Sequence, residues 1–262
     1  MTDINPIITL TTDFGTSDNY VGIVKGIILR LNKSANLIDI NHRIPPFNIA
    51  AARYQLETSY KAFPSGTIHL AVIDPGVGGN RKAIALKTAD YYFLGPDNGL
   101  FAFLNKREIK ECVVLNNPKY CSKDISNTFH ARDVFAPVAG YLSLGIDIIE
   151  FGKRIKGIKR SANKDYSRTS RGLIGRLIYI DRFGNLVSSL KEKIIRQSNG
   201  TIVYLNGVRI GPIRKTFSNV KPGRPVVYIN SFGYLEIGIN KGSAAENFGV
   251  NYDTETEFLI AP

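Results

Sequence analysis

The segment Thr67-Ile68-His69-Leu70-Ala71-Val72-Ile73 runs directly into Asp74-Pro75-Gly76-Val77-Gly78-Gly79-Asn80-Arg81. A short, almost continuously apolar run that ends in turn residues reads as a strand buried on both faces, the state of a central strand in a parallel sheet. Its surroundings agree. Upstream, Ile7-Ile8-Thr9-Leu10-Thr11 is rich in β-formers, 20–31 has apolar residues at helical spacing, Asn36-Leu37-Ile38-Asp39-Ile40 is another strand, and 49–63 is a second helix. Strands alternating with helices are the sequence form of βαβ units. Downstream, 83–86 and 91–94 read as a hairpin, 112–115 as a strand and 133–144 as a helix.

Beyond residue 171 the character changes. The stretches 172–180, 201–205, 208–210, 226–230 and 234–239 are closely spaced strands, and Asn206-Gly207 is a strong hairpin turn. We therefore expect an α/β protein with three parts: an N-terminal domain over 1–152 holding a mostly parallel sheet flanked by helices, a basic linker over 153–171, and a smaller antiparallel β domain over 172–262.

With 262 residues and 44% apolar content the chain can bury one large or two modest cores. It has no run near the roughly 20 uncharged apolar residues of a membrane span, and Asp3 stands where a basic leader would begin, so the expected location is the cytoplasm. Cys112 and Cys121 have no histidine or second cysteine pair nearby to complete a metal site, and read as buried thiols. The net charge of +12 raises the question of a nucleic-acid partner. Much of the excess is gathered between Lys153 and Arg171, with Ser, Asn and Gly and little apolar periodicity. That pattern is a solvated connector and argues against nucleic acid.

In open α/β sheets ligands bind beyond the carboxyl ends of the strands. Two acids lie there: Asp13, in Thr11-Thr12-Asp13-Phe14-Gly15, and Asp74. The glycines after Asp74 miss the dinucleotide spacing because Arg81 occupies the third glycine position, and no Gly-Lys-Ser/Thr phosphate loop occurs. A phosphate-anchored cofactor is not expected. The loop is open to two readings, a ligand site or a tight turn of the kind glycine permits. His130, in Thr128-Phe129-His130-Ala131-Arg132-Asp133, precedes a helix that Asp133 would help to start. His42, in a loop, and His69, inside a strand, are assigned no role.

The segments TTDFG, IDPGVGG with a following Arg, GPDNG, TFHARDVFAP, DRFGN and NSFGYLEIGINKGSAA occur in one order across nearly the whole chain. In this the sequence resembles the S-adenosylmethionine hydroxide adenosyltransferases, relatives of the adenosyl fluorinase and chlorinase. The resemblance implies a C-terminal β-barrel-like domain and a homotrimer whose sites join one subunit's N-terminal domain to its neighbour's C-terminal domain. It also implies hydrolysis of S-adenosylmethionine to adenosine and methionine, with no cofactor and no metal. The family's water-handling residues fall on Asp74, Arg81 and His130. Its ribose-binding acid falls on Asp13. Asp181, Phe183 and Asn185 match the motif that meets the methionine and adenine parts, and Ser231 and Glu236 match further ligand contacts. Read without the resemblance, 181–185 is a turn between strands and Glu236 an exposed strand residue.

The same resemblance separates this chain from the halogenating relatives. Their small hydroxyl residue after the position of His130 is Ala131 here, their tyrosine is Asp74, and their extra loop after the glycine motif is missing. Phe232 stands where they carry an arginine near the methionine carboxylate. Three functions are thus in view: a hydrolase, a halogenating transferase of the same fold, and a non-catalytic adenosine or nucleic-acid binding module. The sulfur epimer of the substrate is left open.

Overall fold

The computed structural model describes residues 5–160, 165–198 and 200–262. It separates into two compact units, Met1–Ala162 and Asn163–Pro262.

The first unit holds a six-stranded sheet of β1 (Ile7–Thr12), β2 (Asn36–Asn41), β3 (Ile68–Val72), β4 (Ala83–Lys87), β5 (Tyr92–Pro96) and β6 (Glu111–Val114), in the order β2-β1-β3-β5-β4-β6. Pairings β1–β2, β1–β3 and β3–β5 are parallel. The β4–β5 hairpin and β6 add an antiparallel edge. All of β3 is buried, as its apolar run requires. One face of β1 and β3, with Ile8, Leu10, Ile68, Leu70 and Val72, packs against Val24 and Ile28 of α1 (Tyr20–Leu31) and Val138, Ala139 and Leu142 of α3 (Ala136–Ser143). Each of the Val, Leu and Ile side chains contributes about 1.5–3 kcal/mol when fully buried. The opposite face carries Thr9 and His69, whose ring packs among Tyr60, Phe63, Tyr91 and Phe93 after α2 (Ile49–Ser59). Burial pushes His69 down to about 4 and Thr9 Oγ1 lies 2.8 Å from its Nδ1, so this histidine is a neutral core residue.

Two helix boundaries differ from expectation. The second helix tightens into a 3-10 turn over Tyr60–Ala62. The third starts earlier than 133, with a π-helical turn over Ala131–Phe135, so Asp133 lies inside it rather than opening it. Asp133 is buried and tied down: its carboxylate accepts from Arg132 Nε at 2.7 Å and from the Ser126 N–H at 2.8 Å. Burial acts to raise its pKa, but these donors hold the carboxyl below the usual range.

The second unit is a barrel. Its strands are β7 (Tyr166–Thr169), β8 (Gly172–Ile180), β9 (Leu186–Lys191), β10 (Ile202–Leu205), β11 (Val208–Arg214), β12 (Pro225–Ile229), β13 (Tyr234–Ile239) and β14 (Glu257–Ala261). The order β14-β10-β11-β12-β13-β9-β8 closes through a β14–β8 pairing, and β7 lies alongside β8. One pair, β11–β12, is parallel, so the barrel is not purely antiparallel. Leu186, Leu190, Val203, Leu205, Leu235, Ile237, Phe258 and Ile260 fill its interior. Asn206 and Gly207 both take positive φ, 49° and 79°, as a two-residue hairpin between β10 and β11 demands.

The basic stretch 153–171 is more than a connector. The Val114 N–H donates to the Lys153 carbonyl, Ile155 N–H to the Cys112 carbonyl, and Lys159 N–H to Asp97 Oδ1, so 153–160 is tied along the first unit. Tyr166–Thr169 is β7. Residues 161–164 of that stretch lie outside the described residues.

Candidate active site

Asp74 follows the carboxyl end of β3, and the glycine turn brings Arg81 back beneath it. Arg81 Nε donates to both Asp74 oxygens at 2.9 Å, and Nη2 donates to Oδ2 at 2.5 Å. The same Nη2 donates to His130 Nδ1 at 2.7 Å. Both members of the ion pair are buried, at 9% and 6% side-chain exposure for Arg81 and Asp74. The guanidinium also lies 5.7 Å from the centroid of the Phe135 ring. Three residues from two distant segments thus form one chain of charge-assisted hydrogen bonds, the strong class of such bonds.

The glycine loop makes a close backbone approach and also forms part of a cavity wall. Gly78 has φ +75°, and a Cβ there would stand 2.3 Å from the Asn127 carbonyl oxygen. Its glycine is a matter of close approach, since it lets the loop press onto the segment that leads to His130. Asp74 and Val77 of the same loop line a cavity.

That cavity, about 390 Å³, is also lined by Asp13, Phe14, Tyr20, Phe47, Phe129, His130 and Ala131. Asp13 and Asp74 therefore open into one space. Arg81 is not among the lining residues, and is bonded to Asp74 and His130, which are. Burial pushes the Asp13 carboxyl up, the Phe47 N–H pulls it down, and the charge of Asp74 adds to the rise. Burial, then the Arg81 cation, hold the His130 pKa below its ordinary value. Because Nδ1 accepts a hydrogen bond from the Arg81 guanidinium, which can only donate, the ring is neutral with its hydrogen on Nε2.

Several lining residues escape sequence reasoning. Phe14, Tyr20 and Phe129 contact one another with ring centroids 5.2–6.1 Å apart and make an apolar wall. Phe47 has φ 64° and is 68% exposed, and its N–H donates to Asp13 Oδ2 at 2.9 Å. A bulky residue held in the left-handed region costs about 1–3 kcal/mol. The one signal for it was Pro45-Pro46 immediately before, which forces an abrupt change of direction.

The other candidates lie in the second unit. Asp181 accepts from the N–H groups of Phe183 and Asn185 at 2.9 and 2.8 Å, and from Asn185 Nδ2 at 2.8 Å, so its carboxylate closes the turn between β8 and β9. Phe183 is 76% exposed on that turn. Glu236 is buried, not an exposed strand residue: the Tyr228 hydroxyl donates to Oε1, and Asn230 Nδ2 donates to Oε2 at 2.7 Å. Burial raises its pKa against those two bonds. Ser231 and Phe232 are exposed in the turn before β13.

Register relates these positions. Leu186 pairs with Ile237 and Lys191 with Tyr234, which puts the 181–185 turn and the 230–233 turn at opposite ends of β13. Since Leu235, Ile237 and Ile239 face the core, Glu236 and Gly238 face outward. A Cβ on Gly238 would lie 2.6 Å from Asn185 Oδ1. Asn185, Glu236 and Asn230 thus follow one another along a single outer face, over about 13 Å of strand between Gly238 and Tyr234.

Among the described residues no group of three His, Cys, Asp or Glu could hold a metal ion, and no helix is long and apolar enough to cross a membrane.

The sequence profile of the SAM hydroxide adenosyltransferase N-terminal domain matches residues 8–152, and that of the C-terminal domain matches 175–257. The (R)-S-adenosyl-L-methionine hydrolase of Methanocaldococcus jannaschii is 37% identical, over 98% of this chain and 97% of its own. The protein of the same name from Thermus thermophilus is 35% identical, over 91% and 94%. A fluorinase from an Actinoplanes species is more distant, 27% identical over 92% and 93%. A crystal structure of an uncharacterized conserved protein from Thermotoga maritima superposes with a TM-score of 0.85 at 32% identity, covering 96% of this chain and 99% of that one. With both domain profiles matched in order and relatives above 30% identity along nearly its full length, the chain belongs to the SAM hydroxide adenosyltransferase family.

Proposed function

We propose that the protein hydrolyses S-adenosyl-L-methionine to adenosine and L-methionine by attack of water on the ribose 5′ carbon. The observation that carries this is the Asp74-Arg81-His130 chain at the wall of a cavity that Asp13 shares. The water oxygen forms the bond to C5′ as the C5′–S bond breaks, and that electron pair leaves on sulfur as a neutral thioether. Such a leaving group needs no acid, metal or cofactor. The water does need help, and a positioned base typically contributes about 10²–10⁴-fold.

Asp74 takes the proton in this scheme. The Nδ1 lone pair of His130 is occupied by Arg81, so the imidazole offers Nε2–H to the water and orients it. Arg81 is a positioning residue that fixes both partners. Asp13 accepts from the two ribose hydroxyls, a task suited to a carboxylate with a free pair of acceptor sites. The outer face of β13 suits an elongated ligand, with Asn185 and Phe183 toward one end, Ser231 toward the other and Glu236 between. Asp181 would share its carboxylate between its turn and the ligand ammonium. The relatives' name specifies the (R) sulfonium, and we take that epimer as the substrate.

A cytoplasmic homotrimer completes the proposal. The unpaired Cys112 and Cys121 fit a reducing compartment. Phe183 and Phe232, exposed on the barrel turns, fit surfaces that a ligand or neighbouring subunit covers. The halogenating alternative lacks support at Ala131, a buried methyl group beside His130 where a hydroxyl would be wanted.

Incubation of the protein with S-adenosylmethionine in the presence of chloride or fluoride tests the reading. Adenosine and methionine are expected in equal amounts; 5′-haloadenosine, or no product, would refute it. A pH profile adds a sharper check. Activity requires neutral His130, whose pKa is held below the ordinary 6.5, so the midpoint of the acid limb of kcat/KM should lie below pH 6.5. An acid limb centred above pH 6.5 contradicts the neutral role of His130.

A further inference from the structure

We propose that His42 is a positioning residue for Asp13, and through it sets the affinity of the site for the ribose diol. The inference rests on the reading of Asp13 as the ribose acid.

Asp13 sits in a turn that has little to hold it by itself: Phe14 and Gly15 follow, and Gly15 takes φ +70°. The loop after β2 grips that turn on both sides. Ahead of Asp13, Thr12 Oγ1 lies 2.8 Å from His42 Nδ1 while accepting the Phe14 N–H at 3.3 Å. Behind it, the Gly15 N–H donates to the His42 carbonyl at 2.7 Å. Farther along the same loop, the Phe47 N–H donates to Asp13 Oδ2. His42 thus fixes the chain on both sides of Asp13, at Thr12 by its ring and at Gly15 by its main chain.

The ring is itself held. Its side chain is 4% exposed, and Nε2 lies 2.9 Å from Asp39 Oδ1, at ion-pair distance though off the line of a hydrogen bond. Lys25 Nζ pairs with the other Asp39 oxygen at 2.6 Å. With Nε2 turned to a carboxylate, Nδ1 serves as the acceptor and the Thr12 hydroxyl donates to it. That direction leaves the Thr12 oxygen free to accept from Phe14, while Nε2 keeps its electrostatic contact with Asp39. Recognition of two adjacent hydroxyls by one carboxylate is sensitive to shifts of about 1 Å, so loosening either anchor should be felt at the ligand.

The test compares binding of adenosine and 2′,3′-dideoxyadenosine by calorimetry on the full chain. His42→Ala should weaken adenosine by about 10-fold or more and leave the dideoxy compound within a factor of two, because only adenosine uses Asp13. Thr12→Val, which keeps shape and removes the hydroxyl, should do the same and serves if His42→Ala does not fold. His42→Asn, with its amide oxygen near the place of Nδ1, should restore discrimination. Equal losses for both nucleosides would mean a general structural role and overturn the inference, as would unchanged adenosine affinity in folded His42→Ala or Thr12→Val. Asp13→Ala separates the two levels. If it leaves adenosine binding intact, the ribose reading of Asp13 has failed; if it abolishes discrimination and His42→Ala does not, only the role of His42 has.

Discussion

Asp74→Asn is expected to lower kcat for adenosine formation by about 10²–10⁴-fold while KM for S-adenosylmethionine stays within a few-fold. The substitution keeps size and shape and removes the charge that draws the water's proton. At about 1.4 kcal/mol per decade, the loss corresponds to roughly 3–5 kcal/mol of barrier. Asparagine retains one oxygen for Arg81 Nε, so the turn between β3 and Arg81 should persist, and near-normal substrate binding is the control for that. A folded Asp74→Asn variant with kcat within threefold of the parent would remove Asp74 as the base. The mechanism would then have to place the proton elsewhere, although His130 Nδ1 is already engaged by Arg81.

Much of this geometry is legible in the sequence, and for identifiable reasons. The fully buried β3 and the α1 periodicity are set by local pattern, and both appear where the residues put them. Asn206-Gly207 encodes its own turn. Three strands, β7, β9 and β14, go unread in the sequence, and the first two fail the same logic. β9 carries Ser188 and Ser189 in the middle of an apolar run, and its buried hydroxyls donate to distant partners, the carbonyls of Leu235 and Asp165. β7 lies in a basic stretch, and what makes it a strand is the neighbouring β8 rather than its own composition. Tertiary pairing decided both cases against local propensity.

The site divides in the same way. Asp13, Asp74 and His130 stand out because they are polar residues at strand ends or helix starts, and the fold brings them to one cavity. The role of Arg81 as the hidden link depends on a bond across 49 positions of sequence, which no spacing rule could give. Phe47 and His42 are invisible for a related reason. One acts through its backbone N–H and a left-handed φ, the other through Thr12, and neither effect belongs to the residue type.

Arg81→Met should separate stability from chemistry. Methionine fills most of the space of the arginine stem but leaves the Asp74 carboxylate buried without its partner, at 6% exposure. Breaking a buried pair from one side costs roughly 3–5 kcal/mol. At about 2–4 °C per kcal/mol for a domain of this size, the melting temperature should drop visibly in calorimetry. Turnover should fall as well, because Asp74 and His130 both lose the donor that fixes them. Adding Asp74→Leu to Arg81→Met replaces the pair by apolar groups, which is often neutral for stability. The double variant should therefore melt close to the parent and still form no adenosine. If the double variant instead melts as low as Arg81→Met, the stability loss comes from packing around Phe135 rather than from a stranded charge. If Arg81→Met alone keeps both its melting temperature and its activity, the ion pair neither supports the fold nor orders the nucleophile.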